Sequence, residues 1–80
     1  MEPLFEFERP GFSITIYPTH VDTAVGMLFK KRDSILIRSI TDVGIGRTGR
    51  LRITTNDGRL REYTVGLRAK EAREAILSAL

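Results

Sequence analysis

The sequence predicts a mainly β fold, in which one C-terminal helix covers the open end of a curved antiparallel sheet or barrel. Three observations lead to this fold class. Apolar and polar residues alternate with a period of two through most of residues 4–65, Pro and Gly separate the alternating segments, and the period becomes helical after Val65-Gly66. With 80 residues the chain has room for one domain, residues 1–80, with strands within 4–65 and a helix at about 68–79.

The first part of the chain predicts three strands. Residues 4–8 alternate between apolar and acidic side chains, and residues 12–17 alternate again after the turn signal Arg9-Pro10-Gly11. A third alternating run starts at Val21, and Gly26 interrupts it, which indicates a bulge or a close approach of two backbone segments. The charged residues that follow predict a chain reversal at 30–33. We expect these aromatic side chains in the core: Phe5, Phe7, Phe12, Phe29 and Tyr63.

The second part predicts a bent strand followed by two turns. Residues 34–45 alternate, but the polar pair Thr41-Asp42 breaks the apolar series, so the strand should be bent or interrupted. Arg47-Thr48-Gly49 marks the next turn, and Asn56-Asp57-Gly58 is a strong hairpin signal.

The register of this last hairpin follows from its side chains. A two-residue turn would set Ile53 opposite Glu62 and bring apolar and charged side chains onto one face. A three-residue turn over residues 56–58, with Gly58 left-handed, sets Leu51 opposite Tyr63 and Arg52 opposite Glu62. We therefore expect the three-residue turn.

The last dozen residues predict an amphipathic helix. The apolar residues at helical spacing are Ala69, Ala72, Ile76, Ala79 and Leu80. No Ser, Thr, Asp or Asn stands near Leu67, so the helix should begin without a side-chain cap. Because a helix of about 12 residues is marginal alone in water, this apolar face must cover the sheet.

Basic residues are concentrated in the middle of the chain. The net charge is +3, but residues 30–61 carry nine basic and three acidic side chains, a net charge of +6, whereas residues 1–29 carry −3. Such a segment can face phosphate groups or an acidic membrane, although arginines on a small sheet can also serve solubility alone. The candidate anion-binding residues are Lys30, Lys31, Arg32, Arg47, Arg50 and Arg52.

The turn order divides these basic residues. In an up-and-down meander the turns at residues 30–33 and 56–58 lie at one end, and the turn at residues 47–49 lies at the other. A single strong nucleic-acid surface is therefore not expected, and exposed aromatic platforms for bases are not evident.

No catalytic residue, cofactor or metal site is expected. Residues 44–49 fit the pattern G-x-G-x-x-G, but the alternation of a strand follows them instead of a helix, so we read these glycines as bulge and turn positions. His20 is the single histidine, we expect it in a solvent-facing turn, and no serine stands at a recognisable spacing from it. The chain has no cysteine, which excludes disulfides and thiolate chemistry.

Composition and hydropathy predict a folded cytoplasmic protein. Hydrophobic residues make up 41% and charged residues 29% of the chain, unlike the composition of disordered segments. The longest apolar run, residues 24–29, is far too short for a membrane span, and the acidic start of the chain differs from a signal peptide.

Three segments carry a resemblance to a known family. Residues 35–43, with the form I-x-I/L-x-x-I-x-x-V, the hairpin at residues 49–58 and the helix at residues 71–76 are similar to the bacterial pleckstrin-homology-like (PH-like) family. The similarity covers residues 12–80. It implies a partly open antiparallel β-barrel of two near-orthogonal sheets capped by the C-terminal helix, acting as a binding or assembly module without catalysis.

The family's members are thought to self-associate through sheet edges. The leading expectation is accordingly a non-catalytic module that works through protein–protein contacts, with a second copy of the chain or another protein as partner. Two alternatives stay open. One is peripheral binding to an acidic membrane through Lys30, Lys31 and Arg32, and the other is a small-barrel nucleic-acid binder that uses Arg47, Arg50 and Arg52. No small-molecule substrate is expected.

Overall fold

The structure is a computed structural model that describes all 80 residues, Met1–Leu80. Seven strands precede one α-helix, and three short 3-10 turns connect some of them. The strands are β1 (Phe5–Arg9), β2 (Phe12–Ile16), β3 (His20–Val25), β4 (Lys31–Leu36), β5 (Ile40–Gly46), β6 (Arg50–Thr55) and β7 (Leu60–Thr64), and the helix is α1 (Ala69–Ala79). The 3-10 turns are Ile37–Ser39, Arg47–Gly49 and Gly66–Arg68.

The strands form two antiparallel sheets that follow the order of the chain. The first sheet has the order β1-β2-β3-β4, and the second has the order β5-β6-β7. The predicted turn at Pro10-Gly11 joins β1 to β2, and Arg9 pairs with Phe12 across it. The predicted fold class is confirmed: the chain is mainly β, with two antiparallel sheets and one C-terminal helix, consistent with a partly open barrel.

One apolar core lies between the two sheets and the helix. Alternate residues of the central strands are fully buried in it, namely Ile14 and Ile16 of β2 and Leu51 and Ile53 of β6. Each such side chain contributes about 1.5–3 kcal/mol through burial. Phe5 and Phe12 are buried as predicted, and Phe7 and Tyr63 are half-buried against the same core.

Helix α1 covers the core with small side chains. Ala69, Ala72 and Ile76 are buried, and the two alanines allow the helix backbone to approach the sheets closely. The helix begins without a side-chain cap, as the sequence predicts. Leu80, which the sequence places on the buried face, is exposed instead, because the helix ends at Ala79.

Two arginines, one just before the helix and one within it, each reach one edge of a sheet. Arg68 donates to the carbonyl of Glu6 in β1 at 2.9 Å, and its guanidinium group lies 4.6 Å from the ring centroid of Phe5. Arg73 donates to the carbonyl of Val43 in β5 at 3.2 Å. These bonds use edge carbonyls that another strand could otherwise pair with.

The β6–β7 hairpin has the predicted register. Leu51 pairs with Tyr63 and Arg52 pairs with Glu62, and Gly58 has a φ of +82°. The Asp57 carboxylate fixes the turn because it accepts bonds from the Thr55 hydroxyl at 2.6 Å and from the Arg59 N–H at 3.0 Å.

The reversal between β3 and β4 lies earlier than predicted. Lys31 already belongs to β4, so the loop consists of residues 26–30 instead of 30–33. The prediction that Phe29 lies in the core is wrong, since 91% of this residue is exposed. Gly26 ends β3, and two segments do approach closely there, because a Cβ at Gly26 would lie 2.2 Å from the Phe29 carbonyl oxygen.

The predicted interruption after β4 is confirmed and changes the placement of the turns. The 3-10 turn Ile37–Ser39 separates β4 from β5, and a register shift follows between Ile40 and Asp42. The Asn56 N–H donates to the Ser39 carbonyl at 2.8 Å. The turn at residues 56–58 therefore lies by the end of β4 that is remote from the β3–β4 loop, and the prediction that these turns share one end is wrong.

The glycine motif at residues 44–49 opens no α-helix, in agreement with the sequence argument. The last glycine, Gly49, lies in a turn with a φ of +73°, and strand β6 follows. Gly44 and Gly46, however, are ordinary residues inside β5 and not bulge positions, since the register shift of that strand lies at Ile40/Asp42.

Candidate functional site

Two chain reversals lie side by side at one end of the four-stranded sheet. The Gly26 N–H donates to the Gly11 carbonyl at 2.9 Å and joins the β3–β4 loop to the β1–β2 turn. The Met27 sulfur lies 3.3 Å from where a Cβ of Gly11 would stand, so Met27 lies over that turn. We call residues 9–11 and 26–32 the tip.

The β3–β4 loop of the tip has a conformation that requires glycine. Gly26 has a φ of +126°, and the loop folds back until the carbonyl of Phe29 occupies the space of a Cβ. No β-carbon fits there. The sequence signal for this arrangement is the interruption at Gly26, which indicates a close approach but does not tell where the chain turns.

The loop exposes three consecutive large apolar side chains. Exposure is 71% for Met27, 91% for Leu28 and 91% for Phe29, and Val25 at the end of β3 is 49% exposed. Large apolar side chains clustered at the end of a hairpin, outside the core, are typical of binding surfaces. A continuous apolar run such as Met27-Leu28-Phe29 looks like a buried strand in the sequence, which is why the core prediction for Phe29 failed.

Basic side chains surround this apolar loop. Lys30 lies in the loop, Lys31 pairs with Val25 and Arg32 pairs with Ala24 in the first rungs of β4, and Arg9 stands at the neighbouring turn. None of these four cations makes an ion pair within 4 Å. Three of the predicted site residues are therefore brought together, exposed and unpaired.

Two carboxylates lie near these cations. Glu8 lines a hollow of about 390 Å³ between the two turns, together with Arg9 and Lys30. Asp33 is already paired with Arg61 of β7, whose Nε lies 3.2 Å from its Oδ2. The tip therefore keeps a positive balance toward solvent.

The other three predicted residues lie on the second sheet. Arg50 and Arg52 project from one face of β6, and Arg47 lies in the turn before that strand. Arg50 and Arg52 both contact Glu62 of β7, at 3.4 Å and 3.9 Å. These arginines belong to the other sheet and line a cavity that shares no residue with the hollow of the tip. The six candidate residues therefore form two separate groups.

His20 lies differently from the sequence prediction. It is the first residue of β3, is half-buried and stacks on Tyr17 with ring centroids 4.7 Å apart. Its Nδ1 lies 2.8 Å from the Thr19 hydroxyl, and its Nε2 lies 3.4 Å from Asp22 Oδ2. The order hydroxyl, imidazole, carboxylate resembles a nucleophilic relay, but the Asp22 contact is long and water-exposed, so it orients the imidazole poorly.

Two side chains have shifted pKa values, and both lie outside the tip. Hydrogen bonds from the Thr55 hydroxyl and the Arg59 backbone lower the pKa of Asp57 below its usual 3.8. Burial raises the pKa of Tyr63 above its usual 10.0.

Comparisons with known proteins give no relative. No family model, no curated protein and no solved structure matches the chain. The resemblance to the PH-like family stays a prediction. None of the helices is both long enough and apolar enough to cross a lipid bilayer.

Proposed function

We propose that the chain is a non-catalytic, PH-like binding module whose tip docks on an acidic membrane surface. One observation carries this proposal: the exposed apolar side chains of Met27, Leu28 and Phe29 stand among four unpaired cations. Apolar side chains flanked by Lys and Arg are the chemistry of an interfacial membrane anchor.

The apolar side chains and the cations of the tip have different roles in this docking. Leu28 and Phe29 enter the boundary between headgroups and acyl chains, where burial of apolar surface contributes free energy. Lys30, Lys31 and Arg32 face anionic headgroups, and each contributes about 1 kcal/mol near such a surface. Together the three cations supply about 3 kcal/mol, which corresponds to roughly a hundredfold in affinity.

The same charges argue against self-association through the tip. In a two-fold symmetric dimer the same patch meets itself, so the cations of one copy would face those of the other. Like charges placed together across an interface are unfavourable. An acidic surface, in contrast, complements the tip.

Vesicle binding tests the proposal. Vesicles of phosphatidylcholine with about 30% phosphatidylserine should sediment the wild-type chain, whereas pure phosphatidylcholine should sediment far less. The triple variant Lys30→Ala/Lys31→Ala/Arg32→Ala should bind roughly a hundredfold more weakly. The double variant Leu28→Ser/Phe29→Ser should bind at least about tenfold more weakly, because each apolar side chain is worth about 1.5–3 kcal/mol when buried.

A charge-matched control separates the tip from net charge. Arg38→Ala/Arg59→Ala/Lys70→Ala removes the same three charges from exposed side chains that form no ion pair. This control should bind vesicles within about twofold of wild type, a difference well below 1 kcal/mol. Equal losses in the two triple variants, or full binding by the double variant, would contradict docking through the tip.

Self-association is a second candidate, and a separate cleft favours it. Near the carboxyl end of α1, a cleft of about 440 Å³ is lined by Pro18, Thr19, Leu36, Ile37, Arg38, Ala79 and Leu80. Leu36 and Leu80 are about half exposed there. A second copy of the chain that covered these side chains would remove them from water. The edges at β1 and β5 are a weaker route, since Arg68 and Arg73 already occupy carbonyls there.

Light scattering after size-exclusion chromatography tests the second candidate. The wild-type chain should have a dimeric mass at high micromolar concentration, and Leu36→Ser/Leu80→Ser should have a monomeric mass. A monomeric wild type would remove this candidate and leave docking through the tip untouched.

A further inference from the structure

The outer face of the second sheet contains a glycine, Gly44, that neither conformation nor packing explains. Gly44 lies inside β5, Gly46 ends that strand, and neither has a positive φ. A Cβ at Gly44 would meet no atom within 4 Å, whereas one at Gly46 would lie 3.3 Å from Arg52 Cδ and crowd that side chain. Glycine weakens a strand interior, and its presence there often marks a bulge, a tight bend or a site that a ligand or another backbone approaches closely. The bulge of β5 lies elsewhere, between Ile40 and Asp42.

Arginines stand directly beside these two bare positions. Arg52 pairs with Gly44 and Arg50 pairs with Gly46, so each guanidinium group has no side chain opposite it on β5. The result is a cleft of about 420 Å³ with no hydrophobic residue, lined by Gly46, Arg47, Thr48, Arg50, Arg52 and Glu62. Thr48 adds a φ of +60°, which β-branched residues rarely adopt.

The charges of the cleft match a dianion. Three guanidinium groups face one carboxylate, a net charge of +2. Glu62 lies 3.4 Å from Arg50 and 3.9 Å from Arg52, which keeps both side chains over the strand without neutralising them. The planar guanidinium group donates paired hydrogen bonds to phosphate oxygens, which makes arginine well suited to phosphate recognition.

We infer that this cleft binds a phosphate group, with Arg47, Arg50 and Arg52 as donors. Gly46 belongs to its lining, and Gly44 lies beside it, opposite Arg52. The cleft has no aromatic side chain on which a base could stack, because Tyr63 faces the core and packs against Phe12. Recognition is therefore of the phosphate itself. The source is a free phosphate compound or a phosphodiester chain, and the probes below separate the two.

Isothermal titration with pyrophosphate and with a short single-stranded oligonucleotide tests the inference. Pyrophosphate should bind the wild-type chain, and Arg47→Ala/Arg50→Ala/Arg52→Ala should bind it at least about tenfold more weakly, because several charge-assisted hydrogen bonds are lost. The charge-matched variant Arg38→Ala/Arg59→Ala/Lys70→Ala should bind it as wild type does.

Gly44→Val is the sharper variant, because it separates a ligand role from a structural one. Valine is a better strand former than glycine and has free space at this position, so the free energy of unfolding should stay equal or rise. Its side chain would stand opposite Arg52 at the side of the cleft and crowd that guanidinium group, so phosphate binding should fall several-fold. A purely structural glycine would show the opposite pair of results, lost stability with unchanged binding.

The two probes give distinguishable outcomes. Binding of pyrophosphate assigns a free phosphate compound, and binding of the oligonucleotide alone assigns a phosphodiester chain, provided that the arginine variant abolishes it. Binding of neither probe, or wild-type binding by Gly44→Val, overturns the inference. Neither result bears on vesicle binding through the tip, which uses other residues.

Discussion

The tip and the arginine cleft are both basic, but their surroundings differ. At the tip the cations Lys30, Lys31 and Arg32 have no acidic partner and stand beside exposed apolar side chains. In the cleft, Arg50 and Arg52 share Glu62 and stand beside glycines. Charge attracts an anion in both places, but only the tip offers an apolar group that can enter a membrane.

This difference means that, in the two proposed roles, the neighbours of a basic residue decide what it can bind. A count of charges gives both groups three cations, and the sequence treats them alike. An apolar neighbour adds free energy that salt does not screen, whereas a glycine neighbour adds space for a ligand to approach. Three experiments can break or sharpen this comparison.

The largest expected effect is a loss of stability when Gly49, which is closely surrounded by other atoms, is replaced. A Cβ at Gly49 would lie 2.4 Å from the Gly66 carbonyl oxygen and 2.6 Å from the Gly66 Cα, at a φ of +73°. The positive φ alone costs roughly 1–2 kcal/mol, so Gly49→Ala should lower the free energy of unfolding by at least about 2 kcal/mol. Thermal unfolding should show a Tm lower by about 8 °C or more.

Two other glycines are the controls for this experiment. Gly44→Ala should leave Tm equal or higher, since its Cβ meets nothing. Gly26→Ala should disturb only the exposed loop, because its clash is with Phe29 in that loop, so vesicle binding should fall more than stability. A larger Tm loss from Gly26→Ala than from Gly49→Ala would mean that the tip is part of the cooperative core.

The second-largest expected effect is a difference between the tip and the arginine cleft in how strongly salt weakens binding. Between about 0.1 M and 1 M salt the Debye length falls from about 10 Å to about 3 Å. Pyrophosphate binding at the cleft should decrease more than about tenfold, because it depends on charge alone. Vesicle binding should keep a residual component from Leu28 and Phe29, and Leu28→Ser/Phe29→Ser should lose it. Equal salt dependence at both sites would break the distinction between them.

The smallest expected effect is a change in the pH dependence of Tm when Asp57, which belongs to neither surface, is replaced. Its pKa is lowered in the folded chain, so its contribution to stability is present above pH 3.8 and is lost as the pH falls through the folded pKa. The Tm difference between wild type and Asp57→Asn should therefore be greatest near neutral pH and shrink in acid. A constant difference across this range would show that the charge of Asp57 does not act on the turn.

The local pattern of the sequence was sufficient for most of the fold. Period-two alternation identified β1, β2 and β6, and the conflict between Ile53 and Glu62 selected the register that the β6–β7 hairpin has. Helical spacing placed Ala69, Ala72 and Ile76 on the buried face of α1. These features depend on neighbours in sequence or on one hairpin, so a short window contains the information.

The exposed surfaces could be recognised only in the tertiary structure. Whether Met27-Leu28-Phe29 is a buried strand or an exposed loop depends on where β3 ends, and the close approach at Gly26 decides that. The position of the turn at residues 56–58 depends on the 3-10 turn Ile37–Ser39, which starts a second sheet.

By itself, the sequence determined which side chains are apolar, which are basic and how each strand alternates. Only the packing of the two sheets decided which apolar residues had no room in the core and which cations had no partner. The physical reason is that burial is shared by the whole molecule: Phe29 is as apolar as Phe12, but the core is already closed where the β3–β4 loop extends beyond it.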